Sequence, residues 1–119
     1  VWLTSFAPQG NNEVLAIFTS ASNILEVDEK ELAYFSEGIC KILKCYHEIG
    51  VESFNMTTFS GPINQKLEYY RLNVKIISRP NFKPYYTCDC GFMERFHGEV
   101  VIETKPEDVA KKLKEKFLT

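Results

Sequence analysis

The run KLEYYRLNVKIISR, residues 66–79, constrains this chain most. Tyr70, Leu72, Val74 and Ile76 fall on alternate positions, with Tyr69, Arg71, Asn73, Lys75, Ile77 and Arg79 on the positions between. Strand side chains alternate between faces with a period of two. Residues 67–79 therefore read as a central strand with one apolar face and an opposite face of three cations and an amide. The apolar face needs helices to cover it. The basic face is either the solvated side of an antiparallel sheet or one wall of a ligand groove, and the pattern leaves both open.

With 119 residues the chain suits one domain with one core, residues 1–119. Its 45% hydrophobic and 25% charged residues are those of a globular protein, which excludes a disordered chain. A formal net charge of -2 argues against general nucleic-acid binding. No apolar run reaches the roughly 18 residues of a membrane span and no signal peptide is recognisable, so a cytoplasmic location is expected. The chain opens at Val1 in strand-like sequence with no initiator Met, as a fragment of a longer polypeptide or a trimmed one would.

Four cysteines, Cys40, Cys45, Cys88 and Cys90, are expected as free thiols, since a domain of this size needs no disulfides. Cys40 and Cys45 lie about 140° apart around a helix and are poorly placed to share a metal. Cys88-Asp89-Cys90 lacks the spacing of a zinc knuckle. A site from Cys88, Cys90 and His97 is a minor alternative; the expectation is no metal and no cofactor.

Taken in order, residues 1–7 and 14–18 read as a hairpin across the turn residues Pro8, Gln9 and Gly10. Asp28 with Glu31 forms a capping box, and Leu32, Phe35, Ile39, Ile42, Leu43 and Tyr46 then recur at helical spacing until Gly50. His47 near that helix end reads as a solvated side chain suited to the helix dipole. Residues 51–60 form a third strand, with Phe54, Met56 and Thr58 on one face and Ser53, Asn55, Thr57 and Phe59 on the other. Gly61-Pro62 turns the chain. After Arg79 comes an irregular aromatic stretch, 80–97, long enough to be functional or unusually well packed. Residues 99–103 read as a last strand, and Thr104, Pro106 and Glu107 as the start of a helix that buries Val109, Ala110, Leu113 and Phe117. The order β-β-α-β-β-β-α with short β-β links predicts an α+β domain: a five-stranded antiparallel sheet with both helices on one face.

Several stretches carry a resemblance. They are Phe6-Ala7-Pro8 with Asn12-Glu13-Val14; Phe54-Asn55-Met56 through Gly61-Pro62; residues 70–79; and residues 91–113, in which Pro106-Glu107 opens the last helix. Together with the element order they resemble the histidine-triad superfamily, and within it the C-terminal half of galactose-1-phosphate uridylyltransferases. The family's His-x-His positions correspond to Arg71 and Asn73, and its preceding-strand histidine to Phe59. Arg has no accessible neutral form and Asn is a poor nucleophile, so no phospho-enzyme forms there. Nor do these residues replace nitrogen ligands around a metal.

The resemblance therefore implies no catalytic residue in this chain and activity only beside an N-terminal catalytic half, with no nucleotidyl transfer by the chain alone. It implies a place in galactose metabolism as the half that completes the fold and contributes substrate or subunit contacts, through association with that half or as a homodimer. The contacts expected to a nucleotide sugar or sugar phosphate come from Arg71, Asn73, Lys75 and Asn55. His97 is either one more contact or a hydrogen-bonded loop residue. The alternative is a stand-alone protein-interaction module using the basic sheet face or the aromatic stretch 80–97. A third reading is an unrelated two-layer fold with chance local matches.

Overall fold

Local chemistry fixes both ends of the longer helix, α1, Glu29–Glu48. Asp28 is extended and its Oδ1 accepts from Glu31 N at 2.7 Å, satisfying one of the amides that a helix start leaves unpaired. At the other end Gly50 takes φ +80, a conformation glycine adopts at no steric cost. Gly50 N donates to His47 O and Val51 N to Tyr46 O, which is the Schellman arrangement. His47 is exposed in the last turn, as expected. The computed structural model describes residues 1–81, 84, 90, 91 and 93–118.

Four strands follow the alternating segments: β1 (Trp2–Thr4), β2 (Val14–Ile17), β3 (Phe54–Phe59) and β4 (Asn73–Ser78). They form one antiparallel sheet in the order β1-β2-β4-β3. Opposed residues share a face, so Val14 opposite Ile76 and Ala16 opposite Val74 fall on one side. There they meet Ile42 and Tyr46 of α1, and Val109 and Leu113 of the second helix, α2 (Pro106–Leu118). Leu72, Val74 and Ile76 are all buried, so the apolar half of the 66–79 alternation is the core face. Both helices thus lie on one side of the sheet, in two layers. Tyr46 ties the layers further: its hydroxyl donates to Asn12 O at 2.6 Å.

Several expectations are corrected. Among the described residues the sheet has four strands, not five. Residues 99–103 find their partners outside a ladder: Glu99 N donates to Met93 O at 3.2 Å and Glu103 N to Asn11 Oδ1 at 2.7 Å. Alternation alone makes no strand where no neighbouring strand takes the amides. The strands expected over 67–79 and 51–60 shrink to β4 and β3. Their link, residues 60–72, is long and is folded down on Ser22, whose O accepts from Gly61 N and whose Oγ accepts from Leu67 N. A Cβ on Gly61 would stand 2.8 Å from Ser22 O, so this close approach requires glycine. Thr104 does not cap α2; its hydroxyl accepts from Asn12 N, and the helix begins at Pro106. Leu32 belongs to the helical stripe by spacing, yet it is 54% exposed because α1 joins the core only from Phe35 and Gly38 onward.

One strand stands apart. Among the described residues β3 pairs with β4 alone, and every one of its residues is exposed. Phe54 and Met56 point to the helix side but are 41% and 50% exposed, because the helix layer packs over β2 and β4 and not over this edge.

Candidate functional site

The ladder settles which expected site residues meet. Asn55 lies opposite Ile77, Thr57 opposite Lys75, and Phe59 opposite Asn73. On the other side of β4, Lys75 faces Leu15 and Asn73 faces Ile17. All of these project from the sheet face that the helices leave open. Asn55, Asn73 and Lys75 therefore share one surface, with Phe59 beside Asn73 at one end of it. A groove of about 340 Å³ runs along it between Gln9 and Glu13 on one side and Asn55, Thr57 and Phe59 on the other.

Lys75 is the charged centre of that groove. Its Nζ lies 3.6 Å from Glu13 Oε1, 3.3 Å from Gln9 Oε1 and 5.8 Å from the Phe59 ring centroid. The Glu13 side chain is only 1% exposed, and a buried carboxylate must be paired and hydrogen-bonded to be tolerated. It accepts from Ser5 Oγ at 2.5 Å and from Gln9 N at 2.7 Å, with Lys75 as counter-ion. Glu13 thus folds the 5–13 loop over the end of the sheet. Sequence reading used Glu13 only as part of a family match. The signal was there: an acid two residues before Leu15 shares that residue's open face.

Arg71 and Asn73, which the sequence resemblance sets against the family's His-x-His, serve the backbone. Arg71 Nη1 donates to Glu68 O at 2.8 Å and to Tyr70 O at 2.9 Å, curling the guanidinium back on its own loop. Asn73 Nδ2 donates to Arg71 O at 3.0 Å and reaches Tyr70 Oη at 3.4 Å, while the Tyr70 hydroxyl donates to Phe59 O at 3.1 Å. Together they brace the entry to β4 against the end of β3. The surface offers amides, an aromatic ring and a compensated ammonium.

His97 ends a short π-helical turn, Met93–His97, and is exposed. That turn borders a second cleft of about 580 Å³, which Asn55, Arg79, Cys90 and Glu94 also line. Cys40 is exposed and Cys45 is buried, and burial pushes the Cys45 thiol above its ordinary value. Cys88 and the aromatic residues Phe82, Tyr85, Tyr86 and Phe92 of the 80–97 stretch lie outside the described residues, so the metal alternative through Cys88 does too. Among the described residues no group of three or more His, Cys, Asp or Glu side chains is placed to hold a metal ion. Also among them, no helix is long and apolar enough to cross a membrane.

No family model matches the chain. It is 31% identical over 114 residues to an uncharacterized protein of Archaeoglobus fulgidus, covering 96% of this chain and 34% of that protein. Among solved structures it is similar to a uridylyltransferase with a TM-score of 0.76 at 18% identity, covering 98% of this chain and 38% of the other. A mutant uridylyltransferase matches with a TM-score of 0.77 at 19% identity, over 98% and 40% of the two chains. A Hit-like protein involved in cell-cycle regulation from Bartonella henselae matches with a TM-score of 0.60 at 18% identity, over 97% and 78%. The fold is histidine-triad-like, and the chain spans about a third of its archaeal relative and two fifths of the uridylyltransferase structures.

Proposed function

We propose that this chain is the non-catalytic C-terminal half of a galactose-1-phosphate uridylyltransferase-like nucleotidyltransferase, completing the fold and contributing substrate or subunit contacts. The observation that carries this reading is β3. An uncharged, exposed edge strand that carries Phe54, Met56 and Phe59, with an outer ladder free of any other described strand, is what a globular domain hides unless another element covers it. The match to only 38–40% of uridylyltransferase chains supports a half that needs its complement. The side chains of Arg71 and Asn73, bound to their own loop, support a half without a nucleophile. Asn55, Asn73 and Lys75 are then the contacts on the open face, with Lys75 acting as a hydrogen-bond donor whose charge Glu13 largely cancels. Arg71 and His97 are weaker candidates, the first because its guanidinium serves Glu68 O and Tyr70 O.

That same cancellation of charge favours a second reading, a protein-interaction module. With Arg71 and Lys75 engaged, the open face is closer to a neutral surface of Leu15, Ile17, Phe59 and Ile77 than to an anion site.

Two measurements on the isolated chain separate these. Incubation with UDP-sugars and hexose 1-phosphates, with products followed by chromatography, should give no turnover; turnover that survives loss of His47 and His97 defeats the non-catalytic reading. Sedimentation should show self-association through the uncovered edge, burying on the order of 1,200–2,000 Å² in total, and Met56→Lys should abolish it. A monomer at high micromolar concentration overturns the incomplete-half reading. Saturable UDP-sugar binding lost in Asn73→Ala supports the nucleotide role over the interaction module.

A further inference from the structure

The helix side of the molecule holds a further cleft, about 350 Å³, between α1 and the β1–β2 hairpin. We propose that it binds a small organic ammonium ion. This site is on the layer opposite the open sheet face and does not depend on the proposed function.

Its walls are aromatic. Trp2 stacks on Phe35 with centroids 5.4 Å apart and planes at 11°, and tilts against Phe117 at 6.2 Å; Phe18 meets Phe35 at 5.2 Å. The indole lies against the backbone of α1 at Gly38, where a Cβ would come within 2.2 Å of Trp2 Nε1. Ring faces are electronegative and attract ammonium groups. Two of the chain's own lysines already use them here, Lys41 over Phe117 at 5.4 Å and Lys30 over Tyr34 at 5.9 Å.

The acids select the sign of the ligand. Glu37 pairs with Lys41 at 3.0 Å and is compensated. Glu31 is not: its Oε1 accepts from Ser20 Oγ at 2.5 Å, whereas its Oε2 is buried with no hydrogen-bond partner among the described residues. A carboxylate oxygen sheltered from water and lacking a donor is costly. An ammonium group supplies a charge-assisted donor to it, and an attached ring or alkyl body fills the aromatic cleft. An anion would meet Glu31 and Glu37, while the cations that line the cleft are engaged, Lys41 with Glu37 and the Val1 amino group with Ile17 O at 2.8 Å; a neutral apolar ligand would leave Glu31 Oε2 as it is.

Trp2 is the chain's single tryptophan and lines this cleft; it also borders a neighbouring one beside Leu113 and Lys114, which holds no acid, so the Glu31 variant assigns any fluorescence change to this site. The chain is titrated with phenethylamine and, as a neutral analogue of the same shape, 2-phenylethanol. A saturable change with the amine is expected, with the alcohol about tenfold weaker or worse, the factor expected of one charge-assisted hydrogen bond. Glu31→Gln should bring the amine down to the level of the alcohol, while Glu37→Gln should leave the preference intact. Circular dichroism checks that each variant folds; should Glu31→Gln fail to fold, the amine-to-alcohol ratio of the unaltered chain decides. No saturable change up to about 10 mM, equal binding of the two compounds, or an unchanged preference in folded Glu31→Gln overturns the proposal.

Discussion

Replacing Gly38 with alanine sets two physical effects against each other, and the structure says which wins. A glycine inside a helix costs about 1 kcal/mol relative to alanine, so propensity alone makes Gly38→Ala stabilising in α1. Geometry opposes it. The added Cβ would lie 2.2 Å from Trp2 Nε1, 2.3 Å from Cε2 and 2.6 Å from Cζ2, where ordinary contact begins at 3.4 Å. The indole must therefore retreat by more than an ångström, although it stacks on Phe35 at 5.4 Å and meets Phe117 at 6.2 Å. Overpacking of this kind costs about 1–3 kcal/mol, and an opened aromatic stack about 0.5–1.5 kcal/mol more. Against a gain of about 1 kcal/mol, the net expectation is a loss of about 1–2 kcal/mol. Trp2 sits on a three-residue edge strand, which yields more readily than the helix, so the loss belongs at the lower end of the gross sum. Urea unfolding followed by circular dichroism gives the stability, and the Trp2 emission maximum should shift to the red as the ring leaves its seat. An equal or higher unfolding midpoint, or unchanged emission, refutes the argument and means that β1 adapts without loss.

Other expectations follow from single contacts. Tyr46→Phe removes a buried hydroxyl that donates to Asn12 O at 2.6 Å and should cost about 1–3 kcal/mol in the same assay. Burial holds the Tyr46 phenol above its ordinary value, so the unfolded chain releases that proton first. The phenol's contribution is complete below about pH 10 and is lost as pH rises through the folded value, and Tyr46→Phe should flatten that part of the alkaline stability curve. Lys75→Met removes the counter-ion of a carboxylate that is 1% exposed; with Lys75 itself 31% exposed, the loss should be about 1–2 kcal/mol, largely recovered by adding Glu13→Gln. Arg71→Ala should lower the thermal midpoint through loss of two carbonyl contacts worth roughly 1–2 kcal/mol together while leaving UDP-sugar affinity unchanged; a selective affinity loss would restore Arg71 as a phosphate contact.

What the chain alone determined was local. Asp28 and Gly50 bound α1 because capping is a matter between residues three or four apart. The alternation at Leu72, Val74 and Ile76 gave the buried face of β4, because a strand's pleat assigns its sides without reference to its neighbours. The pairing of Phe59 with Asn73 and of Thr57 with Lys75 then brought Asn55, Asn73 and Lys75 onto one surface, consistent with their alternate spacing. Only the tertiary structure decided the rest. A strand needs a partner as well as a pattern, so residues 99–103 alternate but do not join the sheet, and β3 satisfies its pattern while no other described strand pairs with its outer side. The charges of the open face depend on groups distant in sequence. Lys75 is compensated by Glu13, 62 residues earlier in the chain, and Arg71, unpaired by spacing, folds onto carbonyls that its own loop presents. Electrostatics and packing act through space, and the path that brings Glu13 to Lys75, Trp2 to Gly38 and Ser22 to Gly61 is a property of the closed fold rather than of any one segment.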